Sequence, residues 1–175
     1  MIGFRHADAR FPFLWESDAQ PAARWHGAGE GPAQYLAETP DGACAEFLRH
    51  EEITDQADLA GVTRTLWAVE VPDPPRARPA LRDEACMGGR ATYPACQAEA
   101  RRLRRHGARG LVAPSAALEA GTPSGLRTED GLRPGPPCPE RVLVLFGRHP
   151  DLVGWAACVE GRPRADLLRR VRPFS

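Results

Sequence analysis

The sequence predicts an α+β fold. Two observations carry that reading. Short apolar runs with the two-residue alternation of β-strands outnumber the helical segments, and the helices that do occur fail to alternate regularly with strands as a parallel βαβ sheet requires. No internal repeat and no linker-bounded second unit is visible, so residues 1–175 are expected to form one domain.

Taken in order, residues 2–5 suit a short strand, followed by a loop carrying Phe11, Pro12, Phe13 and Trp15. The stretch around Arg24, ARWHGAGEGPAQYLAETPDG, is dense in Gly and Pro and reads as loop, then as a short strand over 34–37. Thr39 and Pro40 look like an N-cap and a first helical residue, opening a helix over 41–53 with Cys44, Phe47 and Leu48 towards the core. TRTLWAVEV, ending at Val71, alternates as a strand, and Pro72, Pro74 and Pro75 stop it. Residues 72–92, rich in Pro and Arg, are expected to be irregular. A basic amphipathic helix follows over 94–106, with Gly107 as its stop, then a buried strand in GLVAPS at 110–115. Residues 120–140 read as a long loop, 142–147 as the clearest strand, and 154–160 as a weaker one.

Composition bounds the function. The chain has 23 basic and 23 acidic side chains, and every basic one is Arg; Lys and Asn are absent. Balanced charge argues against a general nucleic-acid binder, which needs excess cations to displace phosphate counterions. Without Lys, Schiff-base chemistry and a P-loop lysine are excluded. The five cysteines are odd in number, spread out and never C-x-x-C, and no H-E-x-x-H occurs, so neither a disulfide framework nor a metal site is expected. No apolar run reaches membrane-spanning length and the N-terminus lacks a signal-peptide pattern, so no membrane association and a cytoplasmic location are expected.

The zero charge hides a gradient. Residues 1–60 carry 4 Arg against 11 acids, so an arginine there is more informative than one in the run 101–105. Four features stand out: Arg5 in the apolar opening strand; Arg24-Trp25-His26-Gly27 in a glycine-rich loop; Tyr35 on a strand with Glu46 on the next helix; and Ser115 at a strand end. Each has a plain structural alternative. Arg5 can pair with Asp8 or Glu16, Trp25 and Tyr35 can be core, Glu46 can pair with His50 on a helix face, and Ser115 can cap a helix.

As an ordered set these residues resemble the RES domain family, from GFRHAD through ARWHGAGEGPAQYLAETPDGACAEFLRH to RHGARGLVAPSAA and the VLVLFG strand. Arg24 to Tyr35 and Tyr35 to Glu46 are equal intervals of 11 residues. The sequence departs from the family's usual G-G-R-W-N, reading Ala22-Ala23-Arg24-Trp25-His26. The resemblance implies an ADP-ribosyltransferase-like core of two small packed sheets flanked by helices. It also implies cleavage of the nicotinamide–ribose bond of NAD, with inorganic phosphate as co-substrate and no permanently bound cofactor. In such an NAD phosphorylase Glu46, Tyr35 and Arg24 would be catalytic, and Arg5, Arg24, Trp25, Tyr35 and Ser115 would bind substrate. The alternatives are transfer to another acceptor, hydrolysis by water, or a non-catalytic module that binds NAD or a partner. Family members are commonly toxins paired with an Xre-type helix-turn-helix antitoxin, which would supply any DNA contact; a homo-oligomer is compatible with the sequence.

Overall fold

The computed structural model describes residues 1–123 and 125–174. Six strands form one antiparallel sheet in the order β4-β7-β2-β1-β3-β8. They are β1 (Ile2–Ala7), β2 (Ala33–Ala37), β3 (Arg64–Glu70), β4 (Gly110–Pro114), β7 (Arg141–Phe146) and β8 (Gly154–Gly161). Pairing is continuous within β4-β7-β2 and, apart from bulges in β3 against β8, within β1-β3-β8. The two halves are paired through Phe4↔Ala37.

Side-chain alternation on β7 explains why its run VLVLF is apolar throughout. Val142 and Val144 face a cluster with Leu111, Cys96, Ala100 and Leu103, while Leu143 and Leu145 face another with Leu36 and Val69. That second cluster joins residues of both sheet halves. A third, containing Ala45, Phe47, Leu48, Leu118 and Leu167, lies beneath helix α1 (Pro40–His50).

Thr39 caps α1 as expected, its hydroxyl accepting from the Gly42 N–H, with Pro40 in the first turn. The helix stops three residues before the expected Ile53. Glu52 adopts φ of 52° and the Ile53 N–H donates to Leu48 O, a left-handed closure made without glycine, so no sequence signal marked it. The basic helix α3 (Tyr93–Arg105) ends as expected: Gly107 has φ of 81° and the Ala108 N–H donates to Leu103 O.

Two expectations need correction. Residues 72–92 are not wholly irregular: they hold the short helix α2 (Asp83–Met87), whose Cys86 is buried beside α3, and a 3₁₀ turn at Arg90–Thr92. The stretch 120–140 contains a two-stranded hairpin, β5 (Leu126–Thr128) with β6 (Leu132–Pro134), turning at Asp130-Gly131. The strand expected to be weak, β8, is the longest, an exposed edge. No helix among the described residues is long and apolar enough to cross a membrane.

Candidate active site

A cleft of about 1470 Å³ runs along β1, β2 and α1, walled by the loop over residues 8–17 and lined also by Tyr93 and Phe174. Arg5, Arg24, Trp25, Tyr35 and Glu46 line it together. Ser115 lies behind Glu46, on the wall of a smaller neighbouring cavity, and its Oγ donates to Glu46 Oε1 at 3.3 Å. The six residues to which the resemblance gave catalytic or binding roles therefore converge.

Glu46 projects from the middle of α1, half-buried, and forms no ion pair among the described residues. The helix that carries it is set from its first turn. The Glu140 carboxylate accepts from the backbone N–H groups of Glu38 and Thr39 and from the Thr39 hydroxyl, so one buried side chain holds the cap in place. Burial pushes the Glu140 carboxyl up to about 7 despite those donors. Ser115 also caps, as its alternative reading had it. Its Oγ accepts from the N–H groups of Ala117 and Leu118, and that arrangement aims its own hydrogen at Glu46.

Three guanidinium groups face Glu46's cleft without a carboxylate in ion-pair range among the described residues. Arg5, on β1, donates to Gln34 Oε1 at 3.0 Å rather than to Asp8 or Glu16, and burial lowers its pKa to about 10. Asp8 is taken by Arg10 instead. Arg24 is buried, donating to Thr92 Oγ1 at 3.0 Å and Gly88 O at 2.6 Å, with its guanidinium over the Tyr93 ring. The third, Arg49, was not singled out from the sequence. It follows Glu46 by three residues, is 4% exposed, and is held by carbonyls at Ala116, Gly88 and Pro173 with the Phe174 ring against its face. The spacing i,i+3 on a predicted helix was the available signal. Tyr93 and Phe174 were also missed, because nothing local marks a residue that reaches the cleft from a distant segment.

Trp25 and Tyr35 have moderated parts. The Trp25 indole is 1% exposed and packs in the core cluster with Ala33 and Val144, so it offers the cleft little surface. The Tyr35 hydroxyl accepts from the Trp25 N–H at 3.0 Å and lies 2.9 Å from His26 Nδ1, leaving its ring as the part that faces the cleft. His50 makes no ion pair with Glu46 among the described residues; its ring packs edge-on against Phe174. No group of three or more His, Cys, Asp or Glu suited to a metal occurs among the described residues.

The family model described as the RES domain matches residues 2–164. The fold is similar to a chain in the crystal structure of the M. tuberculosis MbcT–MbcA toxin–antitoxin complex, with a TM-score of 0.60 and 16% identity over 89% of this chain and 84% of that one. No curated protein matches the sequence.

Proposed function

The chain belongs to the RES domain family, and from that premise we propose that it cleaves the nicotinamide–ribose bond of NAD with inorganic phosphate as acceptor, acting as the toxin of a toxin–antitoxin pair. The observation that carries this is electrostatic: Arg5, Arg24 and Arg49 line a cleft together with Glu46, and none of the three is neutralised by an ion pair among the described residues. Cations held out of water without counter-ions favour a ligand bearing at least two negative charges. A pyrophosphate supplies two, and a phosphate acceptor adds more.

The remaining residues suit the chemistry. As the glycosidic bond breaks, its electron pair passes to the nicotinamide nitrogen, which loses its positive charge and needs no general acid. The ribose C1 gains oxocarbenium character, which the Glu46 carboxylate stabilises while the Ser115 hydroxyl holds its orientation. A phosphate oxygen then bonds to C1, giving nicotinamide and a phosphorylated ADP-ribose. Arg24 and Arg5 grip the pyrophosphate or the incoming phosphate by paired N–H donors. The Tyr35 ring bounds the nicotinamide end, and Trp25 supports the turn from the core side. NAD is thus substrate rather than resident cofactor, and the partner is an Xre-type antitoxin that carries the DNA contacts.

Incubating the purified protein with NAD, with and without phosphate, and weighing the products by mass spectrometry tests the reading. Nicotinamide and phosphorylated ADP-ribose should form only with phosphate. Unmodified ADP-ribose in both arms would assign water as acceptor, and intact NAD in both would overturn the enzymatic reading.

A further inference from the structure

The turn that presents Arg24 is fastened by groups that the proposed reaction does not use. Ala23 and His26 pair as an isolated antiparallel bridge, with the Ala23 N–H donating to His26 O at 3.0 Å and the His26 N–H to Ala23 O at 3.4 Å. Arg24 and Trp25 are therefore the two central residues of a tight turn, Arg24 directed to the cleft and Trp25 to the core. A two-residue turn has few contacts of its own, so its orientation depends on what ties it to the sheet.

Those ties meet at His26, which is fully buried. Its Nε2 lies 2.9 Å from Pro21 O, and its Nδ1 lies 2.9 Å from the Tyr35 hydroxyl. A carbonyl only accepts, so Nε2 carries the hydrogen. The Tyr35 oxygen already accepts from the Trp25 N–H, so its own hydrogen points to an unprotonated Nδ1. One arrangement satisfies all three contacts: Trp25 N–H to Tyr35 O, Tyr35 O–H to His26 Nδ1, and His26 Nε2–H to Pro21 O. Gln97, on α3, closes the other side by donating to Ala23 O and His26 O. Arg24 is thereby clamped between β2 and α3 through a neutral imidazole.

We propose that His26 is the positioning residue for Arg24, fixing the guanidinium for its anionic ligand through the Tyr35 hydroxyl. This rests on the reading of Arg24 as the anion grip. The imidazole spans from the Tyr35 hydroxyl to the Pro21 carbonyl as a strut across the turn. Protonation of His26 would put a hydrogen on Nδ1, leave the phenol hydrogen without an acceptor, and bring a second cation near Arg104, with Glu30 as the nearby opposing charge. Burial accordingly holds the imidazole below its ordinary pKa.

Four variants separate positioning from bulk: His26→Gln, whose amide supplies one donor and one acceptor; His26→Leu, which supplies neither; Tyr35→Phe, which keeps the ring; and the double variant His26→Leu/Tyr35→Phe. Two readouts are taken on folded protein, NAD affinity by calorimetry and solvent exchange of the Arg24 Nε–H by NMR. His26→Leu and Tyr35→Phe should each weaken NAD binding about tenfold, with the double variant no worse than either, and His26→Gln should stay within about threefold of the parent. Arg24 exchange should accelerate in the same variants and not in His26→Gln. Unchanged Arg24 exchange in His26→Leu overturns the proposal whether or not NAD binds. Fast exchange in a set of proteins that never bind NAD would leave the positioning intact and defeat the assignment of the ligand.

Discussion

Replacing Glu140 by Gln removes one proton-binding group from the support of α1 and should change how stability depends on pH. The Glu140 carboxyl titrates near 7 in the folded chain against an ordinary 4.5, because burial disfavours its charged form. A folded pKa above the unfolded one means that its contribution is fully present below 4.5 and is lost as pH rises through about 7. At about 1.4 kcal/mol per pH unit across that window, the ionised side chain costs the fold about 3 kcal/mol at pH 8. His6 works the other way. Burial first, then Arg64, Arg5 and His50, lower its pKa from 6.5 to about 3, so it withdraws stability as pH falls below 6.5. Between 4.5 and 6.5 the two slopes oppose, and the parent protein should show a nearly flat profile in urea unfolding. The amide of Glu140→Gln can still accept from the Glu38 and Thr39 N–H groups, so the variant should match or exceed the parent at pH 8. It should then lose stability towards pH 5, with the His6 slope exposed. A variant profile parallel to that of the parent from pH 4.5 to 8 would refute the account of Glu140 as a carboxyl that resists ionisation.

Glu46→Gln should leave the unfolding midpoint within a few degrees of the parent while lowering NAD turnover by about a hundredfold or more, the range for losing one preorganised charge at a reacting centre; full turnover in folded variant would remove Glu46 from the chemistry. Gly42→Ala should destabilise the protein by about 1–3 kcal/mol in chemical denaturation, because a Cβ there runs into the Glu140 carboxylate that holds the cap of α1; a neutral result would mean that this contact yields freely. Arg5→Met should abolish measurable NAD binding yet leave the thermal midpoint equal or higher, since it removes a half-buried cation while Gln34 keeps its bond from the Trp15 N–H; a large drop in the midpoint would make Arg5 structural.

Local signals in the sequence were legible where short-range chemistry decides. Thr39-Pro40 at the start of α1, Gly107 after α3 and the uninterrupted apolar run of β7 each act within a turn or a strand, and each element formed where they point. Where the deciding contact is distant, the reading failed. The end of α1 depends on Glu52 taking a left-handed conformation, and α2 carries no side-chain cap. The candidate site divides along the same line. Arg5, Arg24, Tyr35, Glu46 and Ser115 were visible as an ordered set, and the fold gathers them. Arg49 stood three residues after Glu46 on the expected helix, but its freedom from a carboxylate partner among the described residues is a property of packing. His26 was noted only as a departure, since neither Pro21 O nor the Tyr35 hydroxyl can be placed beside it from spacing alone.

The same contrast bears on the proposed anion grip in a chain of zero net charge. Arginines 10, 101, 102, 141 and 148 each sit within 3 Å of a carboxylate oxygen, so their fields cancel over short distances. Arg24 and Arg49 are tied instead to carbonyls and aromatic faces, which orient a guanidinium without discharging it. Both donate to the same carbonyl, Gly88, which fixes their relative placement from the loop that follows α2. Held that way, they keep their charge for a ligand. Among the described residues Glu46 makes no ion pair with either, and it accepts from the Ser115 hydroxyl. On the proposed anion grip, pairing Arg24 or Arg49 with a new nearby carboxylate should damage NAD turnover more than removing Arg10 or Arg148, and equal losses in the two sets would refute it.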